Sequence, residues 1–243
     1  MRVASYSDCG GRACNEDSIQ VVCSEDYICA ILADGLGGYG GGAVASQTAV
    51  KVITSELKES DVTDITKENV REWCQKANLQ IIAGQTDDCK MKSTIALLFY
   101  KKKEKQVIIA HVGDSRVYQF VNDRCEFCTF DHSVSRMAVV TGEITMDQIR
   151  HHVDRNKLLR SLGGNKEVKV EIDVVDLVPN EINSFLLCSD GFWEYVTEDV
   201  MKKTLQQSGD SEAWLSEMRK CVHMQAPAGN DNHSAIAIQI EEE

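Results

Sequence analysis

Two apolar runs in this 243-residue chain end in the same pair of residues, Asp-Gly: Ile28-Cys29-Ala30-Ile31-Leu32-Ala33-Asp34-Gly35 and Phe185-Leu186-Leu187-Cys188-Ser189-Asp190-Gly191. Such runs read as buried strands. A carboxylate at the end of a buried strand is costly unless something cationic meets it. Three more acidic segments border strand-like runs. Asp114 follows the run 106–112, Asp231 precedes 234–240, and Glu16 and Asp17 precede 18–23. Brought together at sheet edges, these acids form an all-oxygen anionic pocket, which suits a hard divalent cation, Mg²⁺ or Mn²⁺. Asp-Gly and Asn-Asp are also ordinary turn pairs, so a solvated turn accounts for any one acid alone. The coincidence of five segments argues for a metal site. Arg12 lies four residues before Glu16. Its planar fork suits a phosphate dianion, although a surface arginine paired with a nearby acid is the plainer account.

Other motifs carry less. Gly35-Leu36-Gly37-Gly38-Tyr39-Gly40-Gly41-Gly42 contains a formal G-x-G-x-x-G. Asp34 would repel a pyrophosphate there, and one helical pattern follows another without a strand to close a βαβ unit. No strand ending in an acid follows at the offset that would take the ribose. A nicotinamide oxidoreductase is therefore the weakest reading. The glycines serve better to turn the chain tightly and bring carbonyls close to a metal. Cys125-Glu126-Phe127-Cys128 has half the spacing of a zinc site but no second pair, so ordinary thiols in a strand explain it. The six histidines accompany no G-x-S-x-G or H-E-x-x-H, so covalent Ser or Cys catalysis has no support.

The elements that must position these acids follow from periodicity. Strand-like runs lie at 18–23, 27–33, 93–100, 106–112, 116–121, 168–176, 184–188 and 234–240, with Cys125–Cys128 strand-like as well. Ala45, Ala49, Val52 and Ile53 share one helical face, as do Val70, Trp73, Cys74, Ala77 and Ile81. Further helices are expected near 146–160, 198–207 and 211–222, with Thr197 capping the second of these. Short turns, such as 101–105 and 121–124, join strands, and the two helices between 42 and 83 are consecutive. That segregation favours antiparallel sheets with packed helices, an α+β chain.

The net charge is −12, from 26 basic and 38 acidic residues, which argues against a nucleic-acid binder or an anionic-membrane binder. No apolar window reaches bilayer length, and residues 1–8 lack the apolar core of a secretory signal. Ten scattered cysteines in such a chain are expected to be free thiols, and the compartment to be the cytoplasm. With two prolines and no linker, a single domain over 1–243 is expected.

Taken in order, the motifs resemble those of the metal-dependent type 2C protein Ser/Thr phosphatases, in their compact stand-alone bacterial form. The segments are Arg12-x-x-Asn15-Glu16-Asp17, Ala33-Asp34-Gly35-Leu36-Gly37-Gly38, Lys92-Ser93-Thr94 and Val112-Gly113-Asp114-Ser115-Arg116. They continue with Asp131-His132-Ser133, Gly142-Glu143-Ile144-Thr145 and Arg155-Asn156-x-Leu158-x-Arg160-x-Leu162-Gly163. Leu187-x-Ser189-Asp190-Gly191-Phe192 and Gly229-Asn230-Asp231-Asn232 complete the set. The resemblance implies a four-layer α-β-β-α sandwich of two antiparallel sheets flanked by helices. It implies that Asp34 bridges two Mn²⁺ or Mg²⁺ ions, with the Gly35 carbonyl on one and Asp190 and Asp231 on the other. Glu16 and Asp17 support the cluster, Asp114 holds a weaker third ion, and Arg12 binds the substrate phosphate. Phosphoserine and phosphothreonine are then hydrolysed by direct attack of a metal-bridging water. Phosphorylated proteins, a Ser/Thr kinase among them, are the implied partners of a monomer that binds neither nucleic acid nor membrane. A catalytically silent signalling module on the same fold is the alternative, and loss of Asp34, Asp190 or Asp231 would have marked it. Leu36 and Tyr39 stand where some members carry histidine, and the flap lacks a proline before Arg155. These departures leave the leaving-group acid unassigned.

Overall fold

Every residue from Ile28 to Ala33 of β3 (Tyr27–Leu36) is buried, because this strand has no solvent face. Ile28, Ala30 and Leu32 point to one core, and Cys29, Ile31 and Ala33 to another. The computed structural model describes residues 1–37, 41–122 and 124–241. Gly38, Tyr39 and Gly40 of the glycine stretch, and Asp123 of the turn expected at 121–124, lie outside the described residues.

One sheet has the order β2-β3-β5-β6-β9, from β2 (Asp17–Cys23), β5 (Ile95–Lys101), β6 (Gln106–Val112) and β9 (Glu171–Asp176). The two-residue β4 (Lys92–Ser93) pairs with the far end of β3. The other sheet has the order β1-β11-β10-β7-β8, from β1 (Arg2–Asp8), β7 (Arg116–Val121), β8 (Arg124–Cys128), β10 (Ile182–Cys188) and β11 (His233–Glu241). Every pairing is antiparallel.

Three cores hold four layers together. Between the sheets, Ile28, Leu32, Leu98 and Ile109 meet Val117, Phe185, Leu187 and Ile238. On the outer face of the first sheet, Ile31, Leu97 and Phe99 pack against α1 (Gly41–Glu59) and α2 (Lys67–Gly84) through Ala49, Ile53, Trp73 and Ile81. On the outer face of the second, Tyr118, Phe120 and Leu186 pack against α5 (Glu198–Gln207) and α6 (Ser211–Gln225) through Met201, Trp214 and Met218. The α-β-β-α sandwich is thus the observed architecture. Thr197 caps α5 as expected, its hydroxyl accepting from the Val200 N–H.

The differences from expectation have local causes. β1 was not anticipated: it is an edge strand of Arg, Ser and Asp with only Val3, Ala4 and Tyr6 turned inward. The helix expected near 146–160 is a short 3₁₀ helix of two turns, Met146–His151, because Ile149 is its one buried residue and Val153 is 86% exposed. A short α3 (Val134–Val140) was likewise not anticipated. β9 starts at Glu171 rather than 168, because α2 takes the preceding backbone: Gln75 accepts from the Val168 N–H and donates to the Lys166 carbonyl. Asp190 does not end its strand. β10 stops at Cys188, and Asp190 opens the four-residue α4 (Asp190–Trp193). Among the described residues, no helix is long and apolar enough to cross a membrane.

Candidate active site

The acids meet at one end of the sandwich, where strands of both sheets stop. Asp17 and Asp34 are direct partners across β2 and β3. β3 leaves β5 after Leu32 and is taken over by β4 from Gly35. The Asp34 backbone fills that gap: its N–H donates to Thr94 Oγ1 at 2.9 Å and its carbonyl accepts from the Thr94 N–H at 2.8 Å. The chain is thereby fixed on both sides of the carboxylate.

Asn232, which sequence reasoning passed over, ties the second sheet's end to the first. Its Oδ1 accepts from the Glu16 N–H at 2.8 Å, and its Nδ2 donates to the carbonyls of Cys9 and Cys14. It therefore holds both ends of the loop that carries Arg12. Ser189 gives a second tie, donating to Asp17 Oδ2 at 2.9 Å across the sheets. Both residues looked like spacers in their motifs, and only the meeting of the sheets gives them partners. Gly191 has more than a turn to make: a Cβ there would stand 2.1 Å from the Asn232 carbonyl oxygen.

Asp114 is positioned from two directions. Trp193 Nε1 donates to its carbonyl at 2.9 Å. The preceding Gly113, at φ +107°, is clamped by His132, whose N–H donates to the Gly113 carbonyl and whose Nδ1 accepts from the Gly113 N–H. The proton of His132 therefore sits on Nε2, facing Glu171 Oε2 at 3.0 Å. Beside this clamp, Arg116 grips Asp131 with two bonds of 2.8 and 2.6 Å and lies 3.7 Å from the centre of the Trp193 ring.

The resulting cleft, about 410 Å³, is lined by Arg12, Glu16, Asp34, Gly35, Asp114, Asn156, Asp190 and Asp231. Asp17 lies behind it, 8% exposed. All eight residues singled out from the sequence thus gather here. Their charges oppose one another. Lost hydration, together with Asp17, Asp190, Asp114 and Asp231, holds the Asp34 carboxyl well above the usual carboxylate range. Asp190 is raised likewise, by burial and then by Asp114, Glu194, Asp231 and Asp17. Burial foremost pushes Asp114 up to about 7 and Asp17 up to about 6. One cation is already present: Arg12 Nη2 lies 2.9 Å from Asp231 Oδ2.

Three observations fit divalent cations in this cleft. Asp17 Oδ1 is buried without a hydrogen-bond partner. The acids are held together at an electrostatic cost that a cation removes. A Cβ on Gly42 would stand 2.7 Å from both the Gly35 carbonyl oxygen and the Glu16 carboxyl carbon, so two oxygen donors converge where only glycine fits. The acids are nevertheless spread along the cleft. Among the described residues, the set of side chains with donor atoms all within 4.8 Å of one another is His111, His132 and Glu171. That set is a hydrogen-bonded clamp: its imidazoles stack in parallel with centroids 4.6 Å apart, so one ion cannot lie in both ring planes.

The family pattern described as protein phosphatase 2C matches residues 7–229. The chain belongs to the protein phosphatase 2C family. The serine/threonine phosphatase stp of Listeria innocua is 33% identical over 239 residues, spanning 96% of this chain and 89% of that protein. The structure of the serine/threonine phosphatase Stp1 from Staphylococcus aureus has a TM-score of 0.87 at 26% identity, covering 98% of this chain and 94% of that one. The catalytic domain of PstP, solved in complex with two manganese ions, has the same fold, with a TM-score of 0.81 at 24% identity over 99% of this chain and 98% of that one. This type 2C chain is accordingly a phosphoprotein phosphatase.

Proposed function

We propose that the chain hydrolyses phosphoserine and phosphothreonine in one displacement, with no phosphoenzyme, using Mn²⁺ or Mg²⁺. The observation that carries this reading is the convergence of Glu16, Asp34, Asp114, Asp190, Asp231 and Arg12 on one cleft. Asp34, the Gly35 carbonyl, Asp190 and Asp231 would hold the ions, with Asp34 shared between them. Glu16 and Asp17 support them, and Asp114 holds a weaker third. When bound, the ions supply an ionised water for in-line attack and neutralise charge on the phosphoryl oxygens. Arg12 keeps one arm on Asp231 and has further guanidinium donors to hold the phosphate in line. No His, Lys or Tyr lines the cleft among the described residues, so none of these assigns the acid for the leaving alkoxide.

The chain acts as one catalytic domain, a cytoplasmic monomer that reverses a Ser/Thr kinase and that kinase's targets. Phosphate release from a phosphothreonine peptide, with and without Mn²⁺, tests the reading. Metal-dependent release is expected, far slower from the matching phosphotyrosine peptide. Equal release in excess chelator would overturn it.

A further inference from the structure

A second cavity, of about 450 Å³, adjoins the acidic cleft; Arg150, His151, Arg155, Glu194 and Tyr195 line it. The two spaces are bordered by neighbouring residues of the same segments. Arg155 faces this cavity, and the next residue, Asn156, faces the cleft. On the opposite wall, Asp190 at the start of α4 lines the cleft, and Glu194, capping its end, lines the cavity. Four residues of helix rise about 6 Å. The cavity therefore lies two or three residues of extended peptide from Asp190, at about 3.3 Å for each residue.

Its charge is opposite to the cleft's. Two guanidinium groups and an imidazole face one carboxylate. That carboxylate is already engaged: Arg155 Nε donates to Glu194 Oε1 at 2.6 Å. Arg150 is not fully engaged. Its side chain is 8% exposed, and its Nη2 donates to Glu198 Oε2 at 2.6 Å. Its Nη1 is buried with no hydrogen-bond partner. A buried guanidinium N–H without an acceptor is costly, so an oxyanion entering beside it would be drawn to Arg150, which also lines a smaller cavity with Arg116, Tyr118 and Glu198.

Resting on the phosphatase reading above, we infer that this cavity is a subsite for an oxyanion carried by the polypeptide substrate, two or three residues from the phosphorylated serine or threonine. A Glu or Asp carboxylate and a second phosphate share the chemistry. Arg150 supplies the fixed charge, His151 an exposed ring nitrogen, and Tyr195 a wall for the intervening chain.

The test uses phosphothreonine peptides carrying Ala, Glu or phosphoserine at the second or third position on either side, with p-nitrophenyl phosphate as a substrate too small to reach the subsite. The wild-type protein with Mn²⁺ is expected to favour the Glu peptide over the Ala peptide by about tenfold in kcat/KM at one of these positions, mainly through KM, as one charge-assisted bond allows. A larger preference for phosphoserine identifies the occupant as phosphate. His151→Ala and Arg150→Lys should each reduce the preference while hydrolysing p-nitrophenyl phosphate as the wild type does. His151 is exposed, so its variant carries the test if the Arg150 variant fails to fold. Equal kcat/KM for all the peptides, or an unchanged preference in His151→Ala, overturns the subsite. Failure of the wild type to hydrolyse p-nitrophenyl phosphate with Mn²⁺ instead overturns the phosphatase reading, and the subsite with it.

Discussion

Replacing Asp34 by Asn should stabilise the metal-free protein while abolishing its activity. The folded structure holds the Asp34 carboxyl well above its ordinary value of 3.8, through lost hydration and four neighbouring acids. A raised carboxyl pKa means that folding takes up a proton. The stability it contributes is complete below the unfolded value and is lost as pH rises through the folded value. Each pH unit in that window costs about 1.4 kcal/mol. Across that window the wild type loses stability that the uncharged Asn does not lose. For a chain of this size each kcal/mol so lost lowers the melting temperature by about 2–4 °C. Comparing variant with wild type cancels the opposing contribution of His132, whose imidazole burial pushes down to about 4. Thermal melts in chelator should therefore coincide near pH 4 and separate by pH 7.5, with Asp34→Asn the more stable. Saturating Mn²⁺ should reverse the order, since ions that bind the folded state stabilise it and the variant lacks the carboxylate proposed to hold them. A metal-free Asp34→Asn that melts at or below the wild type at pH 7.5 would refute the account of the cleft as a set of mutually repelling acids.

Gly191→Ala should lower stability by about 1–3 kcal/mol or prevent folding, because overpacking of this kind moves backbone. The added Cβ would stand 2.1 Å from the Asn232 carbonyl, so an unchanged urea midpoint would show that this approach is not a constraint. Asp131→Ala leaves the buried Arg116 guanidinium without its two bonds. Loss of one partner of such a pair costs about 3–5 kcal/mol, and a loss of less than a third of that in urea unfolding would show that Tyr118 and Glu198 compensate.

Legibility in the sequence followed the physics of each element. The interior strands were readable because both faces of β3, β5 and β10 are buried, which forces continuous apolar runs. The faces of α1 and α2 were readable because one side of each packs on the sheet, giving the 3.6-residue period. β1 was not, since an edge strand that contributes few apolar side chains looks like a polar terminus. The segment around 146–160 was misread for a different reason. Its arginines are held by acids distant in sequence, Arg150 by Glu198 and Arg155 by Glu194, rather than by a helical face. At the site, the acids were conspicuous because five acidic segments border apolar runs in one chain. Asn232, Ser189 and His132 were not, because their value lies in hydrogen bonds between segments that only the fold brings together.

The placement of the cleft at the meeting of the sheets ties stability to chemistry. Glu16, Asp17 and Asp34 lie in or next to β2 and β3 of one sheet; Asp190 and Asp231 lie just after β10 and just before β11 of the other. Core packing holds the sheets together through Leu32, Leu187 and Ile236 just behind this end, and Asn232 and Ser189 bridge them by hydrogen bonds. Repulsion among the acids acts against that closure at the point where the core runs out. Ions that need oxygens from both sheets would turn the same acids from a separating force into a clamp, so their binding free energy adds to folding free energy. A site inside one sheet would couple its metal only to local order. A site shared between two sheets couples it to the closure of the sandwich, which is why the effect of Asp34→Asn should appear in the global melt and not only in activity.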